Sequence, residues 1–201
     1  MRWQWTIGMV VLVAALGACA HRPERDDSRY QTRPLCDNAL RKSTFSPFRA
    51  GFGNEYSVNE MEALTDLEQQ YQTFSAIEVK YPEDNTEAAQ QRFEQTLGRK
   101  AAALKALVES YEPYMTASNE EIASMSLYRI GEAHEQYAID IDNLRVPSGL
   151  DEQGKQQFCS ALAARSQPIR EAAAGAYKKC ATTSGKDKNL WRAQCQKKVK
   201  Q

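Results

Sequence analysis

The chain has 201 residues, of which 26 are basic and 26 acidic, and 42% are hydrophobic. This length suits one domain with a hydrophobic core. Because the net charge is zero, it gives no evidence for a nucleic acid or any other polyion as a partner. The charge is unevenly distributed, with 20 acidic and 7 basic residues in 54–153 but 8 basic and 1 acidic in 176–201. Solvated helix faces have this pattern, as does a chain that faces two different surfaces.

The first 18 residues have the pattern of a secretory signal. Arg2 gives a short positive start, and the apolar run at 6–18 is shorter than the roughly 20 residues that a membrane-spanning helix needs. The residues Leu16-Gly17-Ala18-Cys19 resemble the lipobox of bacterial lipoproteins. This resemblance implies cleavage before Cys19, which then carries three acyl chains such as palmitate, enough for stable anchoring. An ordinary signal peptide cut at "ACA" is the alternative.

The residue after the lipobox cysteine is Ala20 and not Asp. By resemblance to the enterobacterial sorting rule, this predicts an outer-membrane lipoprotein on the periplasmic side, with exposure at the cell surface as an alternative. Residues 19–53 are rich in charge, Pro, Ser, Thr and Gly, which predicts a flexible spacer between the lipid and a helical domain at 54–201.

Four cysteines remain once Cys19 is lipidated, and an even set in the oxidising periplasm predicts two disulfides. Cys180 and Cys195 flank a "TTSGKD" turn, so two antiparallel helices joined there would bring them together. Cys36 would then pair with Cys159 and pin the spacer to the domain. Buried free thiols are the alternative. No Cys-x-x-Cys occurs, so neither a zinc clip nor a thioredoxin-type redox pair is indicated.

From residue 55, three runs of apolar residues at three- or four-residue intervals each predict an amphipathic helix of about 25 residues. Pro82, Pro113 and Pro147 separate these runs. Capping boxes are predicted at Ser57 with Glu60, Asp84 with Glu87, and Ser118 with Glu121. The apolar positions are Met61, Leu64, Leu67, Tyr71, Phe74, Ile77 and Tyr81; Ala89, Phe93, Leu97, Ala101, Leu104, Leu107 and Tyr111; and Ile122, Met125, Ile130, Tyr137, Ile141 and Leu144.

Beyond Gly149 the predicted helices are shorter. One covers "DEQGKQQFCSALAAR", the next begins with Pro168 in its first turn, and the last covers "DKNLWRAQCQKKVK" with Trp191 as its core anchor. No stretch alternates as a strand does, and short loops make consecutive helices antiparallel. The predicted fold class is therefore all-α, built from antiparallel helical hairpins that form either tetratricopeptide-like repeats or an irregular bundle.

Two features connect the chain to helical-repeat proteins. Leu97-Gly98 and Ile130-Gly131 lie 33 residues apart, close to the tetratricopeptide period of 34, and Gly131 within a helix predicts a close helix–helix approach. The second feature is the set Arg129-Ile130-Gly131, Tyr137, Pro147-Ser148-Gly149-Leu150, Phe158 and Ala172–Tyr177. With these residues, 127–180 resembles the C-terminal segments of tetratricopeptide-like envelope proteins of gliding deltaproteobacteria. The resemblance implies a scaffold or motility-complex role and no catalytic residue.

No catalytic, metal or cofactor pattern is found. His134 lacks a second histidine four residues later, which the zincin motif needs, so we predict a structural histidine. The stretch "DIDNLRVPSGLD" begins like a calcium loop but places Leu144 and Arg145 where a ligand and the turn glycine belong. The candidate binding patch is basic, with a solvated helix end as the alternative: Lys178, Lys179, Lys186, Lys188, Arg192, Lys197, Lys198 and Lys200.

Together these patterns predict a non-enzymatic, lipid-anchored scaffold that uses its helices to bind a protein partner in the cell envelope, with no cofactor. One alternative is a peptidoglycan- or lipopolysaccharide-binding module that uses the basic C-terminal helices. A second is an envelope enzyme whose site has no recognisable motif. Nucleic acid is not expected as a partner behind a secretory signal.

Overall fold

A computed structural model describes residue 36 and residues 58–82, 86–117, 119–183 and 189–200. Helices account for most of these residues and no strand occurs among them, which confirms the all-α class. The signal segment and the spacer, apart from Cys36, lie outside the described residues. The helices are α1 (Val58–Ser75), α2 (Glu87–Tyr111), α3 (Glu120–Asp142), α4 (Glu152–Ala181) and α5 (Leu190–Val199).

The last three helices form consecutive antiparallel pairs. Between α4 and α5, Cys180 is bonded to Cys195, and one turn earlier on α4 the ring of Tyr177 lies 5.6 Å from the Nζ of Lys198. Between α3 and α4, contacts on α4 move backwards along the chain as those on α3 move forwards. The contacting pairs are Ser124 with Thr183, Gly131 with Tyr177, and Asp142 with Ser166.

Helix α3 is central, because it contacts α1, α2, α4 and α5. All its residues from Ile122 to Ala133 are buried, as in a helix surrounded by protein. Although a buried helix is usually apolar, two charged residues, Arg129 and Glu132, lie within this stretch. The apolar positions that were predicted on α2 and α3 and are buried are Ala89, Leu97, Leu104, Leu107, Tyr111, Ile122, Met125, Ile130, Tyr137 and Ile141, and Leu144 just after α3 is buried as well.

Two of the predicted helix caps are wrong by one or two positions. Helix α2 is capped by Thr86 and not by Asp84, and the Thr86 Oγ1 accepts a first-turn backbone N–H at 3.3 Å. Helix α3 is capped by Asn119 and not by Ser118, and the Asn119 Oδ1 accepts a backbone N–H at 3.1 Å. Polar loops offer several cap residues in succession, so pattern alone does not select among them. The third predicted cap, Ser57, lies outside the described residues.

Helix α1 ends at Ser75, before the end of its apolar run. The prediction that Ile77 and Tyr81 continue the helix is wrong, since both lie in an irregular segment. Pro82 disfavours helical backbone in the residue before it. In addition, the Ile77 carbonyl accepts a hydrogen bond at 2.7 Å from the Nζ of Lys100. The end of the run therefore meets the core from a loop.

Helix α4 is one helix of 30 residues that contains Pro168, so the prediction of two helices is wrong. Proline in a helix interior removes a backbone hydrogen bond and costs about 3 kcal/mol. Packing against α3 on both sides of the proline holds the helix together. Before it, the Oγ of Ser166 donates to Asp142 at 2.5 Å; after it, Tyr177 packs on Gly131. The proline itself faces solvent.

Two disulfides join the four described cysteines in the pairing favoured from the sequence. Cys180 and Cys195, with Cα atoms 5.9 Å apart, connect α4 to α5. Cys36 and Cys159, with Cα atoms 5.7 Å apart, connect the segment before α1 to α4. Cys19 lies outside the described residues, and no described cysteine is left unpaired.

Candidate functional site

The basic residues near the C-terminus lie on neighbouring turns of two helices. Lys178 and Lys179 occupy the last turn of α4, Lys197 lies in the last turn of α5, and Lys200 follows it. The antiparallel disposition of the helices and the Cys180–Cys195 bridge keep these turns together. Two further candidates from the sequence, Lys186 and Lys188, lie outside the described residues.

Helix α5 has one face turned to the protein and one to solvent. Trp191 is partly buried, with its ring centroid 5.3 Å from that of Tyr128, as expected for a core anchor. Cys195, one helical turn later, is fully buried. Leu190 and Lys197, which lie seven residues apart and thus on one helical face, are exposed. The exposed face therefore carries both apolar and basic side chains.

Lys198 belongs to the packed face. Its Nζ lies 2.7 Å from the Glu135 carboxylate of α3, which also accepts a 2.7 Å hydrogen bond from the Tyr177 hydroxyl. Burial, together with Glu135, raises the pKa of Tyr177, so this hydroxyl stays protonated as a donor. Lys198 thus joins α3, α4 and α5, and its charge is already matched by a carboxylate.

Arg192 is partly buried and turns towards the α4–α5 connection. Its Nη1 donates to the carbonyl of Thr183, and its backbone N–H donates to the cap residue Asn189 at 3.0 Å. Asn189 in turn donates to the Oγ of Ser124 on α3 at 3.0 Å. Arg192 is therefore part of the packing that holds the start of α5.

The other four described candidates remain directed to solvent. Lys178, Lys179, Lys197 and Lys200 are exposed, and within the described part of the chain none forms a salt bridge. We call these four lysines the α4–α5 basic face. The structure thus divides the candidate patch into two residues used for packing and four that an external anion can reach. Whether they bind a polyanion stays a prediction.

A buried ion cluster that the sequence analysis did not predict is centred on Arg129. This side chain is 0% exposed, and it donates to Glu132 at 2.5 Å and to Glu68 of α1 at 3.1 Å. Its guanidinium lies 5.0 Å from the ring centroid of Tyr71 and 5.6 Å from that of Trp191. One arginine on α3 thereby contacts side chains of α1 and α5.

Electrostatics in this cluster follow from its burial. Burial raises the pKa of Glu68, an effect that Arg129 opposes. Burial by itself would lower the pKa of Arg129, but Glu132 and Glu68 together raise it above its usual value. Burial also raises the pKa of Tyr128 to about 12. Because the charges are paired and closed to solvent, the cluster ties helices together and offers no exposed ligand site.

Other buried charges connect neighbouring helices. Lys100 of α2, 1% exposed, pairs with Asp140 of α3 and lies 4.9 Å from the ring centroid of Phe74. Asp142 of α3 pairs with Arg170 of α4. A sequence signal for Lys100 and Arg129 existed, because each falls on the apolar stripe of its helix. Such an inward position is typical of a charge with a buried partner.

The remaining candidates have structural contacts. The Nδ1 of His134 lies 2.8 Å from the Ile130 carbonyl, and burial lowers the pKa of the ring. No group of three or more potential metal ligands occurs among the described residues. Two surface grooves, of about 350 and 360 Å³, flank Glu78 and Lys80, whose side chains pair with each other at 2.5 Å. The carboxylate of Asp140 in the first groove is held by Lys100.

No protein-family model, no curated protein and no solved structure matches this chain. Among the described helices, none is both long enough and apolar enough to cross a membrane.

Proposed function

We propose that this chain is a lipid-anchored helical scaffold on the periplasmic side of the outer membrane, where it binds a protein partner of an envelope complex. The observation that carries the proposal is the pairing of cysteines. All four described cysteines form disulfides, which persist in oxidising compartments and are rare in the cytosol. The remaining cysteine is Cys19, at the position that the lipobox resemblance assigns to the lipid.

Rigid packing supports the scaffold role. The cross-helix contacts of Arg129, Lys100 and Asp142, together with two disulfides, join all the described helices through directed polar or covalent bonds. A surface held in one geometry binds a partner at lower entropic cost than one that must first become ordered. In the first groove beside the Glu78–Lys80 pair, the polar side chains bond to one another: Gln136 donates to Asp140, which is also paired with Lys100.

Counting thiols tests the anchor and the compartment together. The protein is isolated from native envelopes, denatured without reductant, and treated with a maleimide before mass spectrometry. We expect no maleimide on the unreduced chain and four after reduction, because Cys19 is blocked by lipid and the other cysteines are bridged. One maleimide before reduction and a fifth after it would come from a free Cys19 and contradict lipidation, whereas two or four maleimides before reduction contradict the bridges.

Inhibition of lipoprotein signal cleavage provides a matched test. Cells treated with globomycin should accumulate the uncleaved lipid-bearing precursor, while a Cys19→Ala chain should show no such globomycin-dependent species. If treated and untreated cells contain the same species, lipid anchoring is wrong.

Crosslinking of the tagged lipoprotein in its own envelope, followed by capture, then tests the scaffold role. Recovery of abundant envelope proteins at background level only would contradict that role.

A second candidate function is favoured by the α4–α5 basic face. Four exposed lysines without ionic partners among the described residues suit the carboxylates of peptidoglycan or the phosphates of lipopolysaccharide. Truncation is a poor test, because it would remove Cys195 and unpack α5. We instead expect K178E/K179E/K197E/K200E to abolish co-sedimentation with sacculi or lipopolysaccharide, whereas K105E, at an exposed lysine of α2, should not. Equal sedimentation of both variants would exclude this function.

A further inference from the structure

Within the part of the chain that the structure describes, helix α5 carries exposed apolar side chains as well as a lysine without a salt bridge. Among the described residues, the large hydrophobic side chains that are exposed are Leu190, at 60%, and Val199, at 52%. Both belong to α5, a helix of ten residues that also contributes Lys197 to the α4–α5 basic face. One short helix thus displays both apolar area and positive charge to solvent.

Resting on the proposed lipid anchor, we propose that the α4–α5 basic face and Leu190 lie against the anionic phospholipid headgroups of the membrane that holds the lipid. The protein would then contact its membrane twice, through the acyl chains at Cys19 and through this face.

Chemistry favours a lipid surface over a wall polymer as the occupant. Lysine ammonium groups attract the phosphates of either, but an exposed leucine gains nothing from a hydrophilic polymer. A helix face with an exposed leucine and a lysine fits the boundary between headgroups and acyl chains, where the leucine leaves water and the charge stays solvated. The combination of Leu190 with Lys197 on one helical face therefore favours a membrane surface over a wall polymer as the binding partner.

Inward-facing residues of α5 hold the helix, and with it the exposed face, in place. Trp191 packs on Tyr128, and the Cys195 bridge fixes the middle of α5 to α4. The exposed face of α5 is thus presented by a helix whose opposite face is held by the core, and binding does not require α5 to detach.

The Cys36–Cys159 bridge limits how far this surface can lie from the membrane. Cys19 precedes Cys36 by 17 residues, so the chain between them spans at most about 60 Å. Without the bridge, the next described attachment is the start of α1 at Val58, and the reach grows to about 130 Å. From Cys159 to Cys180 along α4 is about 32 Å. The basic end of α4 can therefore reach the membrane on the bridged tether.

Lysine footprinting on vesicles tests the proposal. The intact lipoprotein is reconstituted into vesicles of phosphatidylcholine alone, or with about 30% phosphatidylglycerol, and treated with an amine-acylating reagent before mass spectrometry. We expect acylation of the α4–α5 basic face to fall at least about threefold on the anionic vesicles and to recover in about 0.5 M NaCl. Lys105, on α2 and 77% exposed as a side chain, should be acylated equally on both.

Each outcome has one meaning. Equal acylation of the α4–α5 basic face on both vesicle types overturns the proposal, as does protection by added sacculi but not by anionic lipid. If the protein floats with neutral vesicles, the lipid anchor stands independently of the footprint; if it does not float, the anchor itself fails. In a Leu190→Ser variant, we expect the salt-sensitive protection to weaken about twofold or more. Protection unchanged by L190S overturns the apolar part of the contact.

Discussion

Tyr177 packs its ring directly on the backbone of Gly131, so that a Cβ atom at position 131 would lie 2.7 Å from the Cε1 of the tyrosine. The tyrosine cannot easily move away, because its hydroxyl donates to Glu135 at 2.7 Å. This contact explains a glycine in the middle of a buried helix. It also confirms the close helix–helix approach expected from the sequence.

Replacing Gly131 with alanine should therefore destabilise the fold. We expect G131A to lower the free energy of unfolding by about 1–3 kcal/mol, the usual cost of overpacking a core, as measured by urea denaturation. Gly98 is the matched control, because nothing lies within 4 Å of a Cβ built there. Since alanine is the better helix former, G98A should raise stability by up to about 1 kcal/mol. Loss of stability in G98A but not in G131A would contradict this interpretation.

Removal of the buried arginine should be among the most damaging single changes. Arg129→Leu leaves Glu68 and Glu132 buried without their cation, and breaking a buried ion pair typically costs about 3–5 kcal/mol. Chemical denaturation of R129L measures this loss. Arg99→Leu, at an exposed arginine of α2, should change stability by less than about 0.5 kcal/mol. Comparable losses in the two variants would show that the cluster contributes no specific stabilisation.

His134 should make stability fall on mild acidification. Burial lowers its folded-state pKa below the ordinary value of 6.5, so the folded protein binds the proton less well than the unfolded chain. Its contribution is fully present above pH 6.5 and is lost as the pH falls through the folded-state pKa. Denaturation between pH 7.5 and 5 should therefore show a smaller acid loss in His134→Gln than in the wild type. Parallel pH profiles would contradict this role.

Pro168 should limit the stability of α4. It is exposed and lies inside a helix whose continuity depends on α3, so Pro168→Ala restores a backbone donor without disturbing buried contacts. We expect a gain of about 1–3 kcal/mol in the free energy of unfolding. If P168A instead destabilises the protein, the helix needs the local geometry of proline to follow α3.

The sequence predicted which basic residues form the candidate site, but not which of them are exposed. Spacing identified the basic residues and the bridge that brings them together. It could not separate Lys198 from Lys197, which are adjacent in sequence. Their difference arises because one points towards Glu135 of α3 and the other to solvent, and only packing determines which face of α5 is covered.

Local chemistry in the sequence was sufficient for the all-α class, the approximate helix order, the need for a glycine at position 131 and the pairing of the described cysteines. The fold class and helix order follow from apolar period and proline position, and the Cys180–Cys195 bridge from cysteine spacing; Cys36–Cys159, across 123 positions, was expected only as the pair that then remained. Tertiary structure alone decided that α4 runs through Pro168 and that Arg129 joins Glu68 across 61 positions, and it acted together with Pro82 where α1 stops at Ser75. At Pro168 the local preference of proline against a helix interior was overcome by packing on α3, and the Arg129–Glu68 pair depends on which helices pack together, which no local pattern encodes.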